Sequence, residues 1–239
     1  MPLDINMVRT HEDLFSALRR TDISVPARTG GRATTHTETY TICHLLSTLA
    51  AVDQLAFPIS VIRRDRPDVL LHAGSAHIGV EITEAVPEQF AALCALAERE
   101  FPDHWLPVDH FPWHAPKLSG DQMRHLLKLQ AVSLGGWVGD RPEQEWARFV
   151  QRLVETKLAK LARPEFQKFG QNWLSVYDNL PLPNVHLGDA IRILRILLED
   201  CWSCEPAFDT LFIERGPVIA KITARESEHL MVEDLWPGQ

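Results

Sequence analysis

The chain is poor in cysteine, has no excess of basic charge, and has no long apolar run. Its four cysteines, Cys43, Cys94, Cys201 and Cys204, are spread over 239 residues. That is not the disulfide framework of a small secreted domain. Cys201 and Cys204 have CxxC spacing, but they fall near the end of a predicted helix and no second such pair exists. They read as two thiols rather than a redox or zinc motif. No apolar run approaches the ~18 residues of a membrane span, and no charged-then-apolar leader opens the chain. These features predict a soluble, intracellular, cytoplasmic protein with reduced cysteines. The net charge is −8, opposite to the basic balance common in nucleic-acid binders. There is no internal repeat, no heptad pattern and no glycine-rich phosphate loop. No Ser-His-Asp order in a recognisable turn supports nucleophilic catalysis.

What is present is enough apolar residue for one sizeable core, 45% of the chain. The pattern predicts residues 1–36 as an N-terminal helix (11–20) and a flexible loop around Arg28–Thr35. Residues 37–239 form a single α/β domain with an insertion around 101–165. Helices are predicted over 37–56, 85–100, 121–134, 142–162 and 186–202, from apolar residues at helical spacing. Strands are predicted over 59–63 and 173–177, with a last hairpin at 210–213 and 218–223. Residues 101–119, rich in Pro, His and Trp, are irregular.

The most informative stretch is Arg66-Pro67-Asp68-Val69-Leu70-Leu71, followed by Gly79-Val80-Glu81-Ile82-Thr83-Glu84. Gly74-Ser75 suits a tight hairpin turn. A two-residue loop there pairs Ala73 with Ala76, His72 with His77, Leu70 with Gly79, and Asp68 with Glu81. Side chains alternate between faces. One face then carries Val69, Leu71, Ile78, Val80 and Ile82, and the other carries Asp68, Glu81 and Thr83. A one-residue slip would expose the whole apolar set, so the register is strongly specified. Opposed carboxylates about 5 Å apart at Cβ suit one hard divalent cation.

Pro67-Asp68, a gap, and then Glu81-Ile82-Thr83 resembles the signature of the PD-(D/E)xK, restriction endonuclease-like superfamily. The resemblance implies a mixed central sheet flanked by helices. Its core runs helix, strand, hairpin, helix, strand, here with a helical insertion and a C-terminal helix plus hairpin. It implies Mg²⁺ or Mn²⁺ held by Asp68 and Glu81 with a backbone carbonyl, placed at Ile82. The helix after the central strand is expected to cover the apolar face of the hairpin. Thr83 stands where the family carries a lysine, and threonine brings no charge. Lys157 or Lys160 on the long helix is either a replacement or a solvent-facing lysine. Lys157 follows Leu153 by four, nearer the buried edge. Glu38 either joins the metal site, as an acid on this helix does in the family, or favours the positive end of its helix.

Arg63, Arg64 and Arg66 lie beside the paired acids, either as phosphate contacts on nucleic acid or as a solvated face. The expected function is divalent-metal-dependent phosphodiester hydrolysis by a Mg/Mn-dependent nuclease. The alternative is a catalytically inactive nuclease-fold module for binding or structure. A third reading is a zinc hydrolase using His104, His110 and His114, since three histidines and a water make a catalytic zinc site. His72 and His77 face each other ~13 Å along the strands from the acids, too far to share their metal. Exposed strand edges and seven tryptophans are compatible with a homodimer.

Overall fold

The computed structural model describes residues 3–104, 106, 111, 116–129 and 137–237. It is an α/β arrangement of helices on both faces of a mixed, open sheet, eight-stranded among the described residues. The strands are β1 (Ile5–Val8), β2 (Ile59–Arg63), β3 (Val69–Ala73), β4 (Ala76–Ala85), β5 (Gln171–Asp178), β6 (Thr210–Arg215), β7 (Val218–Ile222) and β8 (Ser227–Met231). They lie side by side in chain order. The pairs β4–β5 and β5–β6 are parallel, and all others are antiparallel. The helices are α1 (His11–Leu18), α2 (Thr34–Ala51), α3 (Glu88–Glu100), α4 (Gly120–Leu129), α5 (Arg141–Leu161) and α6 (Leu187–Leu197). A short 3-10 turn, Asp200–Ser203, follows α6 within the span expected as one helix.

The hairpin register is the one the alternation dictates. Val69 pairs with Val80, Leu70 with Gly79, His72 with His77, and Ala73 with Ala76. Gly74 has φ +59°, the left-handed conformation that a glycine-first hairpin turn requires. The even-numbered residues of β4, Ile78, Val80 and Ile82, join Val69 and Leu71 in a core with α1 and α2. On the other face Leu174, Val176, Leu211 and Ile213 pack with α5 and α6.

The cover of the apolar face differs from expectation. α1 and α2 supply it, not the helix after β4. α3 pairs with α4 instead, through Leu93, Leu96, Met123 and Leu127. The physical reason lies in α2. Every residue from Thr41 to Ala50 is buried, so this helix is sunk against the sheet and fills the space. Its buried polar residues find partners within the helix and beyond it: the Thr39 and Thr41 hydroxyls donate to the carbonyls of Thr35 and Thr37, while His44 pairs with Glu214 and Ser47 donates to the Glu233 carbonyl.

β4 also runs further than expected, to Ala85, because its parallel pairing with β5 continues to Ala85–Asp178; α3 therefore starts only at Glu88. Two strands carry weak sequence signals, β1 and β8. Each is an edge of the sheet, short and partly exposed, so neither shows the full alternation of a half-buried strand. Among the described residues no helix is long and apolar enough to cross a membrane.

Candidate functional site

The turn between β2 and β3 delivers Asp68. It is closed by the Arg64 amide donating to the Asp68 carbonyl at 2.9 Å. Asp68 stands one residue ahead of β3, in register with Glu81 on β4. Its Oδ2 accepts the Ile82 amide at 2.6 Å. Glu81 points to the opposite face from Val80 and Ile82, and it is buried. Thr83, two residues on, shares that face by strand alternation and lines the same cleft.

Above this pair runs α5. Lys157 Nζ donates to Glu81 Oε1 at 2.7 Å and to the Ile82 carbonyl at 3.1 Å. The side chains of Glu81 and Lys157 are 8% and 12% exposed, so the pair is largely withdrawn from water. Of the two lysines weighed on the sequence, Lys157 is thus the one at the acids. Lys160 lies one turn on, exposed, on the cleft wall. Among the described residues, Asp68 Oδ1 and Glu81 Oε2 receive no hydrogen bond.

Asp68 has an acidity unlike that of a surface carboxyl. Its pKa is pushed up to about 7, first by burial and then by the charge of Glu81. The Ile82 amide and Lys157 act in the other direction, while Glu38 adds to the rise. Two acids in a poorly solvated place thus resist being ionised together.

Glu38 lies on α2 at the same cleft. Its Oε2 is 2.6 Å from Arg63 Nη2, so its partner is a β2 arginine. The three candidate nucleic-acid contacts separate. Arg63 is held by Glu38. Arg64 sits over the Phe169 ring, 5.9 Å from its centroid. Arg66, half exposed and beside Asp65, lines the cleft mouth.

The cleft has a volume of about 480 Å³. Asp68, Glu81, Thr83, Lys157 and Glu38 line it together, with Arg66, Lys160 and Arg163 around them. Glu84 also lines it, and one oxygen of Glu84 accepts from Arg28, Arg32 and Asn179 at 2.8–2.9 Å. The loop expected to be mobile is thereby tied to the end of β4, and Thr29 is tied to Glu98. Nothing local marks Glu84 as a partner, because its cations stand 56 and 52 positions away. The i, i+3 spacing of Lys157 and Lys160 is the one sequence signal for the α5 wall.

The histidines do not gather here. His72 and His77 contact each other at the hairpin end, ring centroids 4.5 Å apart. His104 packs on Phe101; His110 and His114 lie outside the described residues. Among the described residues no group of three or more His, Cys, Asp or Glu side chains is arranged to hold a metal ion. The donor chemistry at Asp68 and Glu81 nevertheless fits a hard divalent cation. The groups are all oxygen, two of them lack a hydrogen-bond donor among the described residues, and their mutual repulsion is what a cation would relieve. The Ile82 carbonyl, the expected third ligand, is in use by Lys157.

No family model, curated protein or solved structure matches this chain.

Proposed function

We propose that the chain is a divalent-metal-dependent phosphodiester hydrolase of the restriction endonuclease-like type, with Asp68 and Glu81 as metal ligands. The observation that carries the reading is the position of Lys157. A lysine from α5, largely withdrawn from water, meets the central acid of the hairpin at 2.7 Å, which supplies the charge that Thr83 lacks. Asp68 and Glu81, assisted by Glu38, would hold Mg²⁺ or Mn²⁺. When bound, such a cation lowers the pKa of a coordinated water and polarises a phosphoryl oxygen.

The protein's own groups do the rest. Glu81 and the Ile82 carbonyl fix the ammonium of Lys157, so its remaining proton is aimed without further ordering. That proton orients the attacking water, and the positive charge stabilises the negative charge that develops on the phosphoryl group. Thr83 adds a hydroxyl on the same face. The low exposure of the pair strengthens both effects, since charges interact more strongly away from water.

The test is cleavage of DNA and RNA by purified protein with Mn²⁺ or Mg²⁺. Asp68→Ala and Glu81→Ala should each abolish metal-dependent cleavage. Lys157→Ala should lower the rate by roughly 10²–10³, the usual effect of losing one charge-stabilising donor. Cleavage that survives both acid substitutions removes the site assignment.

One observation favours a second reading, a nuclease-fold module without catalysis. Lys157 already neutralises Glu81 and caps the Ile82 carbonyl, so protein groups alone can close the site. Calorimetric titration with Mn²⁺ separates the two: the module takes up no cation at millimolar metal.

A further inference from the structure

We infer that His72 and His77 form a two-histidine site for a divalent transition-metal ion, separate from the acids of the cleft. The inference uses neither Asp68 nor Glu81 and does not depend on the hydrolase reading.

The hairpin builds the pair. His72 lies on β3 and His77 opposes it on β4. The Gly74 amide donates to the Pro58 carbonyl at 3.0 Å. In an antiparallel ladder that bond makes Ile59 and Ala73 a non-hydrogen-bonded pair, and it turns the amide and carbonyl of His72 towards Ser60 on β2. His72 and His77 are then a non-hydrogen-bonded pair of β3 and β4. Such pairs stand closest, with Cα atoms about 4.5 Å apart. Alternation puts both rings on the face away from the core residues Leu71 and Ile78.

The geometry suits chelation. The ring centroids are 4.5 Å apart, with the planes at 64°. An ion about 2.1 Å from one nitrogen of each ring, with the two donors at roughly 90–110°, holds the centroids roughly 4.5–5.5 Å apart. Neither imidazole has a hydrogen-bond or ion-pair partner among the described residues. The flanking pairs, Ala73 with Ala76 and Leu71 with Ile78, bring no acid. Each neutral ring therefore keeps a nitrogen lone pair for a metal. His77 is exposed and His72 half-buried, so an ion reaches the pair from solvent and completes its shell with water.

Rigidity adds to the fit. β3 is held between β2 and β4, and Val69, Leu71, Ile78 and Val80 lock the hairpin to the core. The two donors are presented with little left to order, which removes a term that opposes binding.

The donor type selects the ion. Imidazole nitrogen suits Ni²⁺, Cu²⁺ and Zn²⁺, whereas the oxygens of Asp68 and Glu81 suit Mg²⁺ or Mn²⁺. The histidines lie four residues from Asp68 along β3, about 13 Å, so the two places share no ion. Mn²⁺ stands at the weak end of the affinity order, so a Mn²⁺ titration of the acids reads a different site.

The experiment is calorimetric titration of the full chain with Ni²⁺ in the presence of millimolar Mg²⁺. Wild type, His72→Gln, His77→Gln and the double variant are compared. Wild type should show a saturable Ni²⁺ site, and loss of either histidine should weaken it by roughly 10²-fold or more, as when one arm of a bivalent contact is removed. The double variant should be little weaker than either single one, because a lone imidazole cannot chelate. Ni²⁺ should also raise the melting temperature of wild type and not of the variants. His77 is exposed, so His77→Gln should keep the metal-free melting temperature and separate lost ligation from lost folding. Equal Ni²⁺ affinity in wild type and His77→Gln overturns the site. So does a wild type whose uptake at millimolar Ni²⁺ never saturates, which is adventitious surface binding. A chain that binds Ni²⁺ as expected but never cuts a phosphodiester keeps this site and loses the hydrolase reading.

Discussion

Lys157 Nζ lies 2.7 Å from Glu81 Oε1, joining two residues 76 positions apart in the chain. The contact unites the two halves of the site: the hairpin that presents the acids and the long helix that returns over them. Its energetic meaning is asymmetric. Withdrawing two charges from water is costly, and their attraction repays it only while both are present.

Removing one partner should therefore be far worse than replacing both. Lys157→Ala leaves Glu81 as a buried, unpaired charge and should destabilise the fold by about 3 kcal/mol or more. The double variant Lys157→Met/Glu81→Gln removes both charges at similar volume and should recover most of that loss. Urea denaturation of the single and double variants checks this. If the double variant is no more stable than the single, the pair is not coupled as the geometry requires.

Asp68 sets the pH behaviour. Its folded pKa, about 7, lies above the value of about 4 expected when unfolded. Between these limits the native state holds more protons than the unfolded one. This group thus stabilises the fold fully below about pH 4, and that contribution is lost as pH rises through about 7. Asp68→Asn should abolish this slope, so wild type should lose more stability than the variant between pH 5 and pH 8. The ionised form is the one that binds a cation, so apparent Mn²⁺ affinity should rise through about pH 7, with proton release on binding. Parallel urea midpoints and calorimetry in buffers of different ionisation enthalpy test both signs.

The sheet around this site was legible to different depths. The hairpin could be read to the residue, because alternation gives a unique register when one face is wholly apolar. Glu81 and Asp68 followed from that register. The cover of the apolar face could not be read the same way. α2 and α3 both carry apolar residues at helical spacing, and periodicity says that a face is buried without saying against what. The Lys157 contact and the Glu84 cluster depend on how α5 and the loop before α2 fold back, and no local pattern encodes either.

Gly79 is a position where the close approach can be tested directly. A Cβ there would meet Phe169 Cδ2 at 2.8 Å and Pro67 Cγ at 3.1 Å. Both obstacles are ring atoms, and Pro67 immediately precedes Asp68. Gly79→Ala should cost about 1–3 kcal/mol, the usual range for overpacking. It should also weaken Mn²⁺ binding by displacing the Asp68 turn. Adding Phe169→Leu relieves the nearer clash and should restore part of the stability. Melting temperatures of the single and double variants decide it; an unperturbed Gly79→Ala protein means the two rings yield freely.

The placement of Lys157 depends on what anchors α5 to the sheet, and Trp146 is the clearest anchor. Its indole Nε1 donates to Asp178 Oδ2 at 2.6 Å, inside the core. Arg215 reaches the same oxygen at 2.8 Å, and the Asp178 side chain is fully buried. Trp146 and Lys157 are eleven residues apart on one helix, close to three full turns, so they share a face about 17 Å apart along the axis. A tilt at the anchor is therefore transmitted to the ammonium. Trp146→Phe removes the donor and leaves a void, which should cost roughly 2–4 kcal/mol in all. It should also lower kcat for metal-dependent cleavage more than it raises KM, because the lost positioning acts on the reacting group and not on the rest of the cleft. Steady-state kinetics at temperatures well below the melting transition separate the two effects. An unchanged kcat in the folded variant would show that Glu81 and the Ile82 carbonyl hold Lys157 in place without help from the anchor.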